Sequence, residues 1–199
     1  MSLFKFLRFI ARSYAKIFLG MKVVGKENEP KDRNFIVIAN HSVYDDPMFV
    51  LCALDVKARF IAKADLAEHK IFKPLAKLMN VITIHRGESD IAALRKTLDA
   101  LKNGDSIAIF PQGTRMPGVF PEASQAQAGV GLIASRGKVP VLPVTLCFKK
   151  DHPRIFNKLT VKIGKPIEYE EYSAAGNSHD VARYVFSKVE ETFKDYRNG

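Results

Sequence analysis

His41 and Asp46 stand five positions apart in Asn40-His41-Ser42-Val43-Tyr44-Asp45-Asp46-Pro47. A carboxylate that accepts the Nδ1 proton of an imidazole fixes its tautomer and leaves Nε2 free to act as a general base. Pro47 opens the next apolar segment, so the two side chains can face each other across a tight strand-to-helix turn. The same residues also fit a plainer arrangement, with Asp46 as a helix N-cap and His41 as a surface loop residue.

Two more polar clusters share that setting. His85-Arg86-Gly87 and Pro111-Gln112-Gly113-Thr114-Arg115 each follow a short apolar, β-branched run. The guanidinium groups of Arg86 and Arg115, with the flexible backbone at Gly113, suit a phosphate held by charge-assisted hydrogen bonds. A base beside an anion clamp is the equipment for taking a proton from a hydroxyl on a phosphorylated substrate.

The elements that must position these residues are read from periodicity. Strands are expected at 21–24, 35–39, 58–63, 81–84, 106–110, 139–146 and 159–163, and helices at 3–19, 48–54, 66–79, 90–101, 125–136 and 179–196. Their alternation predicts an α/β fold: one domain with a mostly parallel sheet flanked by helices, preceded by an amphipathic helix. In such sheets ligands gather at the carboxyl ends of the strands, where all three polar clusters fall. The strand at 139–146 holds Pro140 and Pro143 and is expected near an edge or held in place by its loops. No repeat, low-complexity segment or linker divides the remainder.

Thirty-one basic residues against 21 acidic ones leave a formal charge of +10, which calls for an anionic partner. No nucleic acid is expected, because recognition aromatics, zinc-finger spacing and a helix-turn-helix are all missing. Cys52 and Cys147 lie in apolar segments without metal-ligand spacing, as buried thiols in a reducing compartment would, and no metal is expected.

The first helix points to lipid. Leu3, Phe4, Leu7, Ile10, Ala11, Tyr14, Ile17 and Phe18 keep helical spacing, widened by Phe6 and Phe9, while Lys5, Arg8, Arg12 and Lys16 form a basic stripe. Residues 1–19 therefore read as a helix lying in a membrane interface, with the catalytic domain over 20–199. Basic residues interrupt the run too often for a spanning helix or a signal peptide. A helix packed on its own domain would share this periodicity. Ile71, Phe72, Leu75 and Leu78 fit a plain core helix as well as a second interfacial or acyl-chain surface.

One rival motif is Gly129-Val130-Gly131-Leu132-Ile133-Ala134, which matches a dinucleotide fingerprint with Asp151 some way beyond. The segment before it, 123–128, is helix-prone rather than strand-forming, against that motif's requirement. A non-catalytic module for anionic membranes would explain the charge and the first helix, but not the ordered strand-end clusters.

Taken in order, Asn40-His41-x4-Asp46-Pro47, Ile84-x-Arg86, Phe110-Pro111-Gln112-Gly113-Thr114-Arg115 and Val139-Pro140-Val141-Leu142-Pro143-Val144 resemble the four blocks of the glycerolipid acyltransferases. The lysophosphatidic acid acyltransferases of phospholipid synthesis are the best-known members, and the resemblance extends over roughly residues 20–170. It implies that His41 deprotonates an acceptor hydroxyl, which attacks an acyl thioester directly while Asp46 orients the imidazole. It also implies that Arg86, Gln112, Gly113, Thr114 and Arg115 hold the acceptor phosphate, and that Phe4, Lys5, Leu7, Arg8, Arg12 and Lys16 meet the membrane.

The implied partners are a lysophospholipid acceptor, an acyl-CoA or acyl carrier protein thioester as donor, and an anionic membrane surface. No cofactor is bound, and the expected location is peripheral or monotopic on the cytoplasmic face. Two positions depart from the family pattern. Gln112 stands where glutamate is usual, and Gln127-Ala128-Gly129 lacks the lysine usual before that glycine. Both changes fall on the acceptor side and leave room for another lysophospholipid or a lyso-aminolipid.

Overall fold

Every side chain of Ile36–Ala39 is buried, as a strand covered on both faces requires. The computed structural model describes residues 3–64, 70, 73–84, 90–149 and 158–198. Its strands are Lys22–Val24 (β1), Ile36–Ala39 (β2), Arg59–Lys63 (β3), Ile82–Ile84 (β4), Ile107–Ile109 (β5), Val141–Phe148 (β6) and Leu159–Ile163 (β7). Its helices are Leu3–Phe18 (α1), Asp46–Ala53 (α2), Lys73–Leu78 (α3), Asp90–Lys102 (α4), Ala128–Gly137 (α5), Tyr169–Ser173 (α6) and Ser178–Asn198 (α7). All seven strands join one sheet in the order β1-β7-β6-β2-β5-β3-β4. Every pairing is parallel except β6 with β7, which run antiparallel.

Alternation along β2 sorts the core into two layers. Phe35, Val37 and Ala39 pack with Phe49, Val50 and Leu51 of α2 on one face. Ile36 and Ile38 pack with Val130 and Ala134 of α5 and with Val181, Val185 and Phe186 of α7 on the other. Burying a side chain such as Phe49 contributes about 1.5–3 kcal/mol. The chain thus leaves β2 over one face and leaves its neighbour β5 over the opposite face. The crevice between their carboxyl ends is the point at which an open parallel sheet binds ligands.

Of the two arrangements expected for the proline-framed strand, the edge position is not the one found. β6 is interior, between β7 and β2, and runs on to Phe148. Its prolines are tolerated for a local reason. Val141 exchanges both backbone hydrogen bonds with Ile167, so Pro143, two residues along, faces the same side. There the neighbouring chain is leaving the ladder, and Gly164 N–H donates to Pro143 O at 2.8 Å without requiring a donor in return.

The second glycine of the rival dinucleotide motif, Gly131, has a packing role. A Cβ at Gly131 would lie 1.8 Å from Ser178 O, so this glycine lets α5 approach α7. Only a short 3-10 turn, Ala123–Gln125, precedes α5, and no strand does. Asp151 lies outside the described residues. So do 66–69, 71 and 72 of the second apolar surface, of which the short helix α3 is described.

Candidate active site

Asn40 ends β2 by imitating one more step of the sheet. Its Nδ2 donates to Leu146 O at 3.0 Å and its Oδ1 accepts from Leu146 N–H at 2.8 Å. That buried amide holds the loop to β6 while the backbone turns away, carrying His41 over the crevice.

His41 Nδ1 lies 2.8 Å from Asp46 Oδ2. The same oxygen accepts the backbone N–H groups of Ser42 at 2.6 Å and Val43 at 2.8 Å. Asp46 is fully buried and its Oδ1 meets no donor among the described residues, so Oδ2 carries the whole hydrogen-bonding load. An oxygen that accepts two N–H groups accepts the third proton from Nδ1 as well, which leaves Nε2 as the ring's lone-pair nitrogen. The imidazole plane is set by Phe110, stacked at 4.1 Å between centroids and 19° between planes. Asp46 is the first residue of α2, and its carboxylate closes the turn ahead of that helix. The N-cap position belongs to Asp45 and no side chain caps the helix, so the structure supports Asp46 as the orienter of His41 and not as an N-cap.

The turn after β5 underpins this loop. Gln112 Oε1 accepts the backbone N–H of His41 at 2.7 Å, and its Nε2 donates to Gln125 Oε1 at 2.7 Å and to Met116 Sδ at 3.2 Å. Met116 N–H closes the circuit on His41 O at 2.8 Å. Both ends of the Gln112 amide are spent inside the protein and the residue is only 5% exposed. Contrary to the sequence expectation, it braces the histidine loop instead of facing a ligand.

Gly113 has φ +68°, and a Cβ there would sit 2.3 Å from Gln127 Nε2. Gln127, in the stretch that lacks the expected lysine, donates to Gln112 O at 3.3 Å and precedes α5. Thr114 and Arg115 are exposed at this turn. The Arg115 guanidinium lies 3.3 Å from the centre of the Tyr44 ring, a cation–π contact that brings the second turn against the first. Tyr44 was missed in the sequence, where only its place between His41 and Asp46 hinted at a role. Arg86 lies outside the described residues.

Beside the pair, an open cleft begins at Ser42 and is walled by Val119, Phe120, Leu146, Phe148 and Phe193, with Arg197. Sequence reasoning missed it because its walls come from three separate stretches.

The first helix divides its faces differently from the expected pattern. Ala15 and Leu19 are buried and Phe4 packs against the core. Leu3, Phe6, Leu7, Phe9, Ile10, Tyr14, Ile17 and Phe18 are exposed. Lys5 and Lys16 are exposed too. Arg8 and Arg12 turn inward, to backbone carbonyls at the end of α2. They are anchors to the domain, because the last carbonyls of a helix need donors.

Both thiols are buried, and burial pushes Cys52 up to about 11 and Cys147 up to about 12. Neither is a thiolate nucleophile at neutral pH.

Comparison with known proteins gives the class: an α/β transferase that moves acyl groups. The chain belongs to the Acyltransferase family, whose model matches residues 20–147. It is 27% identical over 157 residues to the 1-acyl-sn-glycerol-3-phosphate acyltransferase of Bacillus subtilis, covering 77% of each chain. It is 25% identical over 177 residues to the enzyme of that name from Streptococcus pneumoniae, covering 84% of this chain and 65% of the relative. Among solved structures, the 1-acyl-sn-glycerophosphate (LPA) acyltransferase of Thermotoga maritima superposes with a TM-score of 0.76 at 28% identity, over 98% of this chain and 81% of that one.

Proposed function

We propose that this acyltransferase moves a fatty acyl group from an acyl-CoA or acyl carrier protein thioester to the free hydroxyl of lysophosphatidate, giving phosphatidate at a membrane surface. The observation that carries the chemistry is the 2.8 Å contact between His41 Nδ1 and Asp46 Oδ2. Nε2 takes the hydroxyl proton as the oxygen attacks the thioester carbonyl. The tetrahedral intermediate then collapses, the C–S bond breaks, and the proton on Nε2 leaves with the thiolate as free thiol. Attack is direct, and the sequence has no Gly-x-Ser-x-Gly elbow for an acyl-enzyme.

Lysophosphatidate as acceptor is supported by the names of the relatives. Arg115 and the Gly113-Thr114 turn, with Arg86, are assigned to its phosphate. The apolar side chains Val119, Phe120, Leu146, Phe148 and Phe193 along the cleft at Ser42 suit a fatty chain.

Association with lipid is supported by the unpartnered apolar face of α1, on which Phe9 and Ile17 are 65% and 67% exposed. Among the described residues no helix is long and apolar enough to cross a membrane. A peripheral or monotopic enzyme on the cytoplasmic face fits these features. The test is thiol release from one long-chain acyl-CoA across a panel of lysophosphatidate, other lysophospholipids and monoacylglycerol. A strong preference for lysophosphatidate is expected, and equal rates on monoacylglycerol would overturn the acceptor assignment.

A further inference from the structure

The helix that begins with Asp46 ends on side chains from the lipid-facing helix. Arg12 Nε donates to Cys52 O at 2.6 Å, and its Nη2 donates to Leu54 O at 2.5 Å and to Asp55 Oδ1 at 2.9 Å. Arg8 Nη1 donates to Asp55 O at 2.5 Å, and Lys26 Nζ donates to Ala53 O at 2.8 Å. Buried Glu29 holds the following turn by accepting the backbone N–H groups of Asp55 and Val56, each at 2.7 Å, and it also pairs with Lys26.

Helix α2 has only eight residues. At 1.5 Å per residue it is a rod of about 12 Å with the reacting pair at one end and this cationic cap at the other. Cations at a helix C-terminus satisfy its free carbonyls and its dipole together. A short helix so held cannot pivot without breaking several charged hydrogen bonds. Any pivot would carry Asp46 Oδ2, and with it the imidazole, away from the substrate hydroxyl.

We propose that Arg12 is a positioning residue for His41 and Asp46, acting through α2 with Arg8 and Lys26 in support. Helix α1 therefore governs turnover as well as attachment. This inference rests on the catalytic role assigned to His41 above.

The test uses the full chain with lysophosphatidate in detergent micelles, so that vesicle attachment does not limit the rate. Thiol release from acyl-CoA is measured per folded molecule, well below the unfolding midpoint. Arg12→Gln should lower kcat at least ~10-fold and change KM for lysophosphatidate less than ~3-fold, since sub-ångström displacement of a catalytic group costs rate before binding. Arg12→Lys should recover part of the loss, because an ammonium reaches one carbonyl where the guanidinium reaches two. Asp55→Asn removes the ion pair but leaves every carbonyl contact, and should stay within about 2-fold of wild type.

A purely structural role would lower the unfolding midpoint and leave kcat per folded molecule unchanged. Folded Arg12→Gln with wild-type kcat overturns the proposal. If Arg12→Gln does not fold, Arg8→Gln decides: a kcat lowered by about 3-fold or more supports the coupling, and an unchanged kcat overturns it. A wild type inactive on every acceptor, or a fully active His41→Ala, would instead refute the function itself.

Discussion

The backbone N–H of His41 donates to Oε1 of Gln112 at 2.7 Å. The histidine at the end of β2 is thus carried from below by the turn at the end of β5, and Met116 N–H returns the bond to His41 O. Because His41 N–H can only donate, the orientation of the Gln112 amide is fixed. Nε2 must then face Gln125 Oε1 and Met116 Sδ.

Gln112→Glu keeps the acceptor toward His41 but sets a carboxylate oxygen against Gln125 Oε1. Gln125 is not free to turn over, since its Nε2 already donates to Phe120 O at 2.9 Å. The substitution should destabilise the fold by about 1–3 kcal/mol, the cost of an unsatisfied buried polar group. Urea unfolding of the two proteins measures this. Equal stability would mean that a carboxylate finds another donor there.

Asp46→Asn retains the volume of the side chain and offers one acceptor for three donors. The three hydrogen bonds that Oδ2 accepts then fall on a neutral amide oxygen and weaken, and the imidazolium formed during proton transfer loses its counter-charge. Turnover should fall by ~10²–10⁴ with a folded protein, because the imidazole loses its fixed tautomer and orientation. Steady-state kinetics with far-UV circular dichroism separates this loss from unfolding, and wild-type turnover would remove Asp46 from the mechanism.

Phe9→Ser with Ile17→Ser changes two side chains that touch solvent over about two thirds of their surface. The fold should stay intact while partition onto anionic vesicles falls ~10-fold or more, since each apolar side chain moved into lipid is worth ~1.5–3 kcal/mol. Co-sedimentation reads the difference. Unchanged partition would show that another surface meets the bilayer.

Asp55 couples this helix to pH. Its hydrogen bond to Arg12, and a further one to Lys26, hold the carboxyl below its ordinary range. A depressed carboxyl contributes stability that is complete above the unfolded value of about 3.9 and is lost as pH falls through the folded value. Asp55 is largely exposed, so the wild type should exceed Asp55→Asn by only ~0.2–1 kcal/mol at neutral pH. The difference should disappear under strong acid. Unfolding curves at several pH values check it, and a difference that persists in acid would mean that the charge is not its source.

Much of this was legible in the chain. The α/β fold and the strand-end placement of His41, Asp46 and Gly113 followed from short apolar runs that stop at polar residues. Periodicity could not reveal which partner each side chain meets across the sheet. Gln112 was read as part of the phosphate clamp because neighbours at a strand end look alike in sequence, yet its amide turns inward to bind the loop after β2. The stripe containing Arg8 and Arg12 was read as facing lipid headgroups. Helical spacing gives faces without saying which is inward, and free carbonyls on α2 claim these arginines. Pro140 and Pro143 suggested a strand near an edge or one held by its loops, and β6 is interior, with Pro143 placed where the adjoining chain departs and asks no N–H of it.

Thiol release from a long-chain acyl-CoA with lysophosphatidate, compared between wild type and His41→Ala, tests the central claim most directly. Wild type should release thiol in step with phosphatidate, and folded His41→Ala should be slower by ~10²–10⁴, the usual contribution of a general base. A folded His41→Ala that kept more than about a tenth of wild-type turnover would contradict base catalysis by this residue.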